Sequence, residues 1–358
     1  MTSPFFDAGI AILGPFPPRP GGVSVQCAIL ADCLERDGAR VTRVNTDLPR
    51  LRQQGRAGRL LLPLAQVFAI ARQLRATRAD WQVLHVHAAS WWGFMPAVVG
   101  LLSRRWGKRL VLSYHGGEAA AFLARLGWLA RPLLQRYDAL LALTPSQARL
   151  FAQVGLHARV VPNIVPIQNF SFRPRGPLAP NLLWLRQLEP RYRPADALAV
   201  FARIQAVHPA ATLALAGGGS LMTELRRQVE AEQRAGVRFC GHLDAAAVAP
   251  TYDAADIFLN TSAIDNLPLT LIEASASGLP VVSTSAGAIP DLIRQEENGL
   301  LAPVGDVEGL AGHILRLLAD PDLARRLSVA GRANAERFAW EQVGTDLATA
   351  FGLPLRLL

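Results

Sequence analysis

Two series of short apolar runs, separated by a proline-rich break, constrain this chain more than any other feature. The first series is Ile10–Leu13, Val41–Val44, Gln82–Val86, Leu110–Ser113 and Ala139–Leu143. These short runs are predicted as strands, with Gln82–Val86, Leu110–Ser113 and Ala139–Leu143 read as buried ones. Stretches at helical spacing follow them, as at Val23–Arg36, where Gly38 supplies the stop. The second series is Leu182–Leu185, Thr212–Ala216, Val237–Phe239, Ile257–Leu259 and Val281–Ser283, again with helices between. Parallel strands need a crossover of a dozen or more residues, usually a helix, so this alternation predicts parallel, doubly wound α/β sheets. Between the series, residues 162–180 hold five prolines and few apolar residues, and are expected to link two domains near residue 165. Two such units imply a cleft between them, the usual place for a ligand.

Composition narrows the class. Apolar residues make up 51% of the 358 and charged residues 18%, enough for two large cores and too apolar for global disorder. No apolar run reaches the roughly 18–20 residues that span a bilayer. No basic flank precedes an apolar core at the start, so no signal peptide is expected. Cys27, Cys33 and Cys240 form neither a metal nor a disulfide pattern, and cytoplasmic residence is the default expectation. The net charge of +9 is uneven: residues 1–165 hold 20 Lys and Arg against 8 Asp and Glu, a balance of +12. The first domain is therefore expected to meet something anionic. Arg50, Arg52, Arg56 and Arg59 precede the apolar stretch 60–71, and Arg104, Arg105, Lys108 and Arg109 follow the apolar stretch 91–102. Basic residues beside apolar segments fit an anionic membrane surface as well as a solvated basic face. No nucleic-acid-binding module is present.

The stretch between Asn260 and Ile293 carries the chemistry. Asp265 and Glu273 stand eight residues apart, with Pro268 between them. A strand at Ile257–Leu259 is expected to run through a loop into a helix over Leu269–Ser277, with Pro268 in its first turn and Gly278 as its stop. Backbone amides at such a helix start favour an anion or a hydroxyl oxygen. Asp265 sits at that mouth, whereas Glu273 lies inside an apolar helix, where an acid needs a partner.

This segment resembles the signature of the nucleotide-sugar-dependent, retaining glycosyltransferases of family 4, also called group 1. Their pattern is an acid, often Gly, any residue, Pro, four residues and Glu, then a helix ending Gly-x-Pro-Val-Val. Here it reads Asp265-Asn266-Leu267-Pro268 through Glu273 to Gly278-Leu279-Pro280-Val281-Val282, with Asp for the commoner first Glu and Asn266 for Gly. The resemblance implies that Asp265 and the amides of Asn266 and Leu267 hold the donor sugar, and that Glu273 binds the ribose. Gly287 matches a small residue of the family.

Further motifs extend the resemblance over nearly the whole chain. Gly21-Gly22 resembles the family's Gly-Gly loop after the first strand, Pro162-Asn163 its Pro-Asn-Gly element, and Gly217-Gly218-Gly219 its Gly-rich turn near the nucleotide. Arg186 stands where the family has an Arg that, with a Lys five or six residues on, clamps the diphosphate. No Lys follows here: Arg191 stands five residues on, Tyr192 six and Arg193 seven. His115, in Tyr114-His115-Gly116-Gly117, resembles the His that faces the donor sugar from the first domain. His85 and His87 straddle Val86 at an earlier strand end, where packing or hydrogen bonding is the expectation.

The resemblance implies the GT-B arrangement: two Rossmann-like domains, residues 1–165 and 166–340, facing a cleft, with a last helix (341–358) crossing back to the first. It implies transfer of a sugar from a nucleoside diphosphate sugar to an acceptor hydroxyl with retention, without a bound metal or cofactor. Arg186 and Arg191 stabilise the departing diphosphate, Asp265 orients the sugar and His115 contacts it. The acceptor is expected to be a sugar, lipid-linked or otherwise anionic, as in cell-envelope polysaccharide or glycolipid assembly, with the protein peripheral on the inner membrane face. A non-catalytic nucleotide-sugar-binding protein and an epimerase of the same fold remain alternatives.

Overall fold

A computed structural model describes residues 3–17, 21–46, 68, 70–73, 80–86, 101, 104, 107–116 and 119–353. His87, Gly117, Arg105 and the basic and apolar residues 50–59, 60–67 and 91–100 lie outside them. The chain divides into two compact units, Met1–Ile164 with Trp340–Leu358, and Val165–Ala339.

The first unit is a six-stranded parallel sheet. Among the described residues its strands are β1 (Gly9–Gly14), β2 (Arg40–Asn45), β3 (Trp81–Val86), β4 (Arg109–Tyr114), β5 (Ala139–Ala142) and β6 (Arg159–Val160), in the order β2-β1-β3-β4-β5-β6. Register pairs Ile12 with Arg43 and Ser113 with Leu141. Alternate side chains of a strand leave on opposite faces, and on β1, β4 and β5 both faces are buried, while the edge strands β2 and β6 are largely exposed. Ala11, Leu13, Leu110 and Leu112 pack with Phe151 and Leu123, from helices α3 (Pro145–Gln153) and α2 (Ala119–Leu134). Ile10, Ile12, Val111 and Leu141 pack with Leu30 and Leu34 of α1 (Gly22–Arg36). The last described helix, Trp340–Phe351, belongs to this unit: Val343 and Leu347 join the same core, and Phe5 meets Phe351 edge-on at 6.1 Å.

The second unit repeats the plan with β7 (Asn181–Leu185), β8 (Thr212–Ala216), β9 (Val237–Gly241), β10 (Ile257–Asn260), β11 (Val281–Thr284) and β12 (Leu300–Ala302). All pairings are parallel and the order is β12-β11-β10-β7-β8-β9. From β7 the chain winds outward through β8 and β9, then returns to β10 and winds the other way. The order thus reverses between β7 and β10, and in open sheets ligands bind outside the carboxyl ends of the strands at such a switch. The helices include α4 (Pro194–Val207), α5 (Met222–Ala231), α6 (Ala245–Asp253) and α7 (Leu269–Ala276).

The proline-rich segment is packed structure. The Val165 amide donates to Phe338 at 2.9 Å, and Ile167 and Phe170 are buried. Arg175 is 1% exposed, and its guanidinium donates to the carbonyls of Arg173, Tyr252 and Asp253 at 3.3–3.4 Å. A buried cation requires such acceptors, so this stretch is fixed to the second unit by hydrogen bonds that its composition does not advertise. Strands β6 and β12, of two and three residues, were not expected from the apolar pattern; both are sheet edges.

Candidate functional site

The β10-to-α7 connection differs from the sequence expectation by one residue. Pro268 is extended (φ −70°, ψ 115°) and sits just outside α7. The helix ends as expected: Gly278 takes φ 82°, its amide donates to Ser275, and Leu279 reaches back to Ala274 at 3.0 Å, the two bonds of a Schellman cap. A side chain at Gly278 would also meet the Arg173 carbonyl.

Beneath this connection the buried polar groups are paired. Asn260 Nδ2 donates to Ser283 Oγ at 2.9 Å, Ser262 Oγ to Asn260 Oδ1 at 2.7 Å, and Thr284 Oγ1 to the Ser262 carbonyl at 2.6 Å. The network ties the ends of β10 and β11 together. Above it the pattern changes. Arg186, directly after β7, is paired with Asp265, after β10. Both are largely buried, and Asp265 Oδ1 also accepts from the Asn266 amide at 3.0 Å. Yet Arg186 Nε, Asn266 Nδ2 and Thr270 Oγ1 are buried with no hydrogen-bond partner. Native proteins rarely leave buried polar atoms unpaired, and this cluster lies at the switch point of the sheet.

Glu273 lies one turn deeper on α7. Its Oε2 accepts from the Tyr252 hydroxyl at 2.7 Å, and that hydroxyl lies 3.3 Å from the Thr270 carbonyl. Tyr252 is fully buried on α6, between the rings of Phe170 and Phe258, each 5.8 Å away. Burial pushes the Glu273 carboxyl up from its ordinary range, against the Tyr252 hydrogen bond and the Arg186 charge. Burial, with the Glu273 charge beside it, holds the Tyr252 phenol well above its usual value. Burial pulls Arg186 down, while Tyr192, Tyr252 and Glu273 oppose that pull and Arg191 adds to it. The site therefore holds a cation and two acids in a poorly solvated place, where charge on a ligand is felt strongly.

Glycines shape the rim. Gly217 takes φ 129°, and a Cβ there would overlap the Arg186 carbonyl; one at Gly219 would overlap that of Leu188. Gly218 faces open space. The Leu188 amide donates to the Gly218 carbonyl at 2.9 Å, and Ser220 donates to the Glu189 carboxylate through its amide and hydroxyl at 2.9 and 2.8 Å. Gly287 takes φ 55°, with no room for a side chain beside the Asp265 carbonyl, which accepts from Ala288 at 3.1 Å.

Of the cations after β7, Arg193 is engaged elsewhere: in the left-handed region before α4, it binds Asp196 at 2.6 Å. Arg191 is exposed, and its guanidinium carbon lies 4.9 Å from the Tyr192 ring centre, while that of Arg186 lies 4.8 Å away. Leu267 is buried, so only its backbone is free to serve a ligand.

The remaining predicted residues lie in the first unit. Gly21 caps α1 with φ 135°, a conformation that penalises side chains, and its carbonyl accepts from Ser24 at 2.9 Å. Gly22 opens the helix. His115 follows β4, with Nε2 3.0 Å from Ser113 Oγ. It lines a cavity of about 30 Å³ with Ser113, Gln26 and Asn163. Gln26 clamps Ile164 from both sides, at 2.7 and 2.8 Å, and Asn163 Oδ1 is buried without a partner. His85 pairs in register with Ser113. The sequence pattern does not single out Tyr252 or Tyr192: the partner of Tyr252 lies twenty-one residues on, and the Tyr192 ring sits among arginines that read as surface charge.

The chain and its fold have parallels in known proteins. Residues 20–169 match the family described as Glycosyltransferase Family 4, and residues 179–320 match Glycosyl transferases group 1. The chain belongs to this family of glycosyltransferases. Glycogen synthase of Mycobacterium tuberculosis is 27% identical over 295 residues, covering 77% of this chain and 70% of that protein. N-acetyl-alpha-D-glucosaminyl L-malate synthase of Bacillus anthracis is 31% identical over 162 residues, covering 44% and 42%. Among solved structures, sucrose-phosphate synthase from Thermosynechococcus elongatus aligns with a TM-score of 0.80 at 20% identity, over 96% of this chain and 98% of that one. Anabaena HepE in complex with UDP and glucose aligns at 0.72 and 18%, over 96% and 99%. The fold is the GT-B type of two Rossmann-like units, and the activity at family level is glycosyl transfer from a nucleotide sugar. Among the described residues, no three His, Cys, Asp or Glu side chains are grouped to hold a metal, and no helix is long and apolar enough to cross a membrane.

Proposed function

We propose that this protein transfers a sugar from a nucleoside diphosphate sugar to an acceptor hydroxyl with retention of anomeric configuration. One observation carries the reading: the unpartnered Arg186 Nε, Asn266 Nδ2 and Thr270 Oγ1, gathered with the Arg186–Asp265 pair at the switch point of the second sheet. These are the groups a diphosphate and a sugar would satisfy. Glu273, held through Oε2 by Tyr252, presents its other oxygen to the ribose hydroxyls. Arg186 and Arg191 meet the diphosphate, whose leaving oxygen gains charge in the transition state; fixed cations in a dry site stabilise that charge without reorganisation. Asp265 and the Asn266 and Leu267 amides orient the sugar. In the first unit, His115 and the Gly21–Gly22 turn bind substrate. The leaving phosphate takes the acceptor proton, so no second carboxylate is needed. HepE, related in fold, was solved with UDP and with UDP-glucose, which makes UDP the first nucleotide to try.

The acceptor is proposed to be a lipid-linked or otherwise anionic glycan of the cell envelope, met by a protein peripheral to the inner membrane face. The +12 balance of residues 1–165 supports this, as does Trp128, 77% exposed on α2 near the exposed Arg131. The decisive experiment pairs a thermal-shift screen of nucleoside diphosphates with a transfer assay on the nucleotide sugar selected. Stabilisation should grow with the logarithm of ligand concentration. The product anomer is then read by NMR. An inverted product overturns retention, and no stabilisation by any nucleotide overturns the whole reading. Liposome flotation with equal binding to anionic and neutral vesicles overturns the membrane contact.

A further inference from the structure

The sequence breaks the family pattern at one place in the diphosphate clamp: where a Lys is expected, the chain offers Arg191 and then Tyr192. We propose that Tyr192 is a positioning residue that holds the two guanidinium groups of Arg186 and Arg191 together, ready for the donor diphosphate. The proposal rests on the donor-site reading above.

Three observations support it. Both guanidinium carbons lie within 5 Å of the same ring centre, at 4.8 Å for Arg186 and 4.9 Å for Arg191. The electron-rich face of an aromatic ring attracts cations, and a planar guanidinium stacks on it where an ammonium would sit as a point charge. Two like charges held near one another repel, and the ring offsets part of that cost until an anion arrives.

The second observation is how firmly the ring is placed. Residues 190–192 form a single helical turn in which the Tyr192 amide donates to Glu189 at 2.9 Å. The Tyr192 carbonyl accepts from Thr261 Oγ1 at 2.9 Å, and Thr261 is fully buried and accepts in turn from Trp184 Nε1 at 2.9 Å. The Arg191 carbonyl accepts from the Ala263 amide at 2.8 Å. The turn is thus tied to the loop that carries Asp265, and the ring packs against the core of the second unit. A flexible Arg191 side chain alone would lose rotamer entropy on meeting the diphosphate; the ring removes part of that loss beforehand.

The third is that the other candidate cation is taken. Arg193 is committed to Asp196 at 2.6 and 3.2 Å, so Arg191 is the cation placed to partner Arg186. A ring plus an Arg then does the work of the missing Lys.

The test compares Y192F, which keeps the ring, with Y192L, which removes it; Y192M replaces Y192L if that variant does not fold. Affinities for UDP, inorganic pyrophosphate and uridine are measured by calorimetry on the full-length chain. Y192F should bind UDP and pyrophosphate within about threefold of wild type. Y192L should weaken both by about tenfold, the loss of about two modest cation–π contacts, and leave uridine unchanged. Y192L and R191A should be non-additive in a double-mutant cycle. Equal losses for UDP and uridine would mean that the ring only supports the fold, and unchanged pyrophosphate binding in Y192L would overturn the proposal. R186A separates the two levels. If R186A weakens UDP and Y192L does not, the clamp reading stands and the role of Tyr192 falls. If wild type binds neither pyrophosphate nor UDP, ADP or GDP, both fall.

Discussion

The Tyr252 hydroxyl donates to Glu273 Oε2 at 2.7 Å, so the second acid of the signature is aimed by a residue twenty-one positions upstream. Tyr252 is fully buried between α6 and α7, so Glu273 cannot rotate away without giving up this hydrogen bond. Tyr252→Phe removes only the oxygen. Hydrogen bonds to charged groups contribute about 1.5–3 kcal/mol, so UDP affinity should fall by about tenfold or more through loss of Glu273 orientation. Calorimetry checks this; unchanged affinity would show that Tyr252 merely fills the core.

Glu273 gives a prediction in pH. Burial raises its folded-state pKa above the unfolded value. The folded protein then holds a proton that the unfolded chain has already lost. Its contribution to stability is full below the unfolded carboxylate pKa and fades as pH rises through the folded one. Glu273→Gln keeps the shape and the acceptor for Tyr252 but cannot ionise. Its melting temperature relative to wild type should therefore be most favourable at neutral pH and converge as pH falls below the ordinary carboxylate range. Transfer activity should be lost at every pH. Melting curves across pH decide it, and a gap that widens toward acid would reverse the sign.

Arg186 should separate stability from catalysis. Arg186→Ala leaves the Asp265 carboxylate buried and unpaired, and breaking a buried pair costs about 3–5 kcal/mol. The double variant R186A/D265N should recover part of that stability in denaturant titrations while remaining inactive. Loss of a preformed charge-stabilising group typically lowers kcat by about 10²–10³-fold. A double variant no more stable than R186A would mean that the pair is not coupled in solution.

Two glycines in the rim should respond differently. Gly287→Ala places a side chain at φ 55° against the Asp265 carbonyl, and the left-handed conformation alone costs about 1–2 kcal/mol. Gly218→Ala meets open space and should change stability by no more than about 0.5 kcal/mol. Urea titrations of the two variants make the comparison directly.

The parts of the site written in local spacing were legible in the sequence. Asp265, Pro268, Glu273 and Gly278 lie on one loop-helix unit, so their order encodes their geometry, and Arg186 follows a strand that its own apolar run announces. Through-space relations were not legible. Tyr252 meets Glu273 because α6 packs on α7, and Tyr192 meets Arg186 because the 190–192 turn folds over the end of β7. Nothing in the triple glycine told Gly217 and Gly219 from Gly218, because the distinction is a dihedral angle and the nearness of two carbonyls. The packed course of residues 165–180 was hidden for a similar reason: its anchor, Arg175, reads as a surface residue until its carbonyl partners are in place.

The helix over Trp340–Phe351 has a consequence for the order in which this protein can be made. The second unit is one uninterrupted stretch and has all its residues once Ala339 has been synthesised. The first unit has its sheet early but lacks the helix that packs with Phe5, Ile10 and Val111 until residues 340–351 have been made. Domains generally fold in the order they emerge, so here the first begun is the last finished. A nascent chain halted before Trp340 holds every residue of the second unit, while the first still exposes the apolar residues that Val343 and Leu347 will pack against.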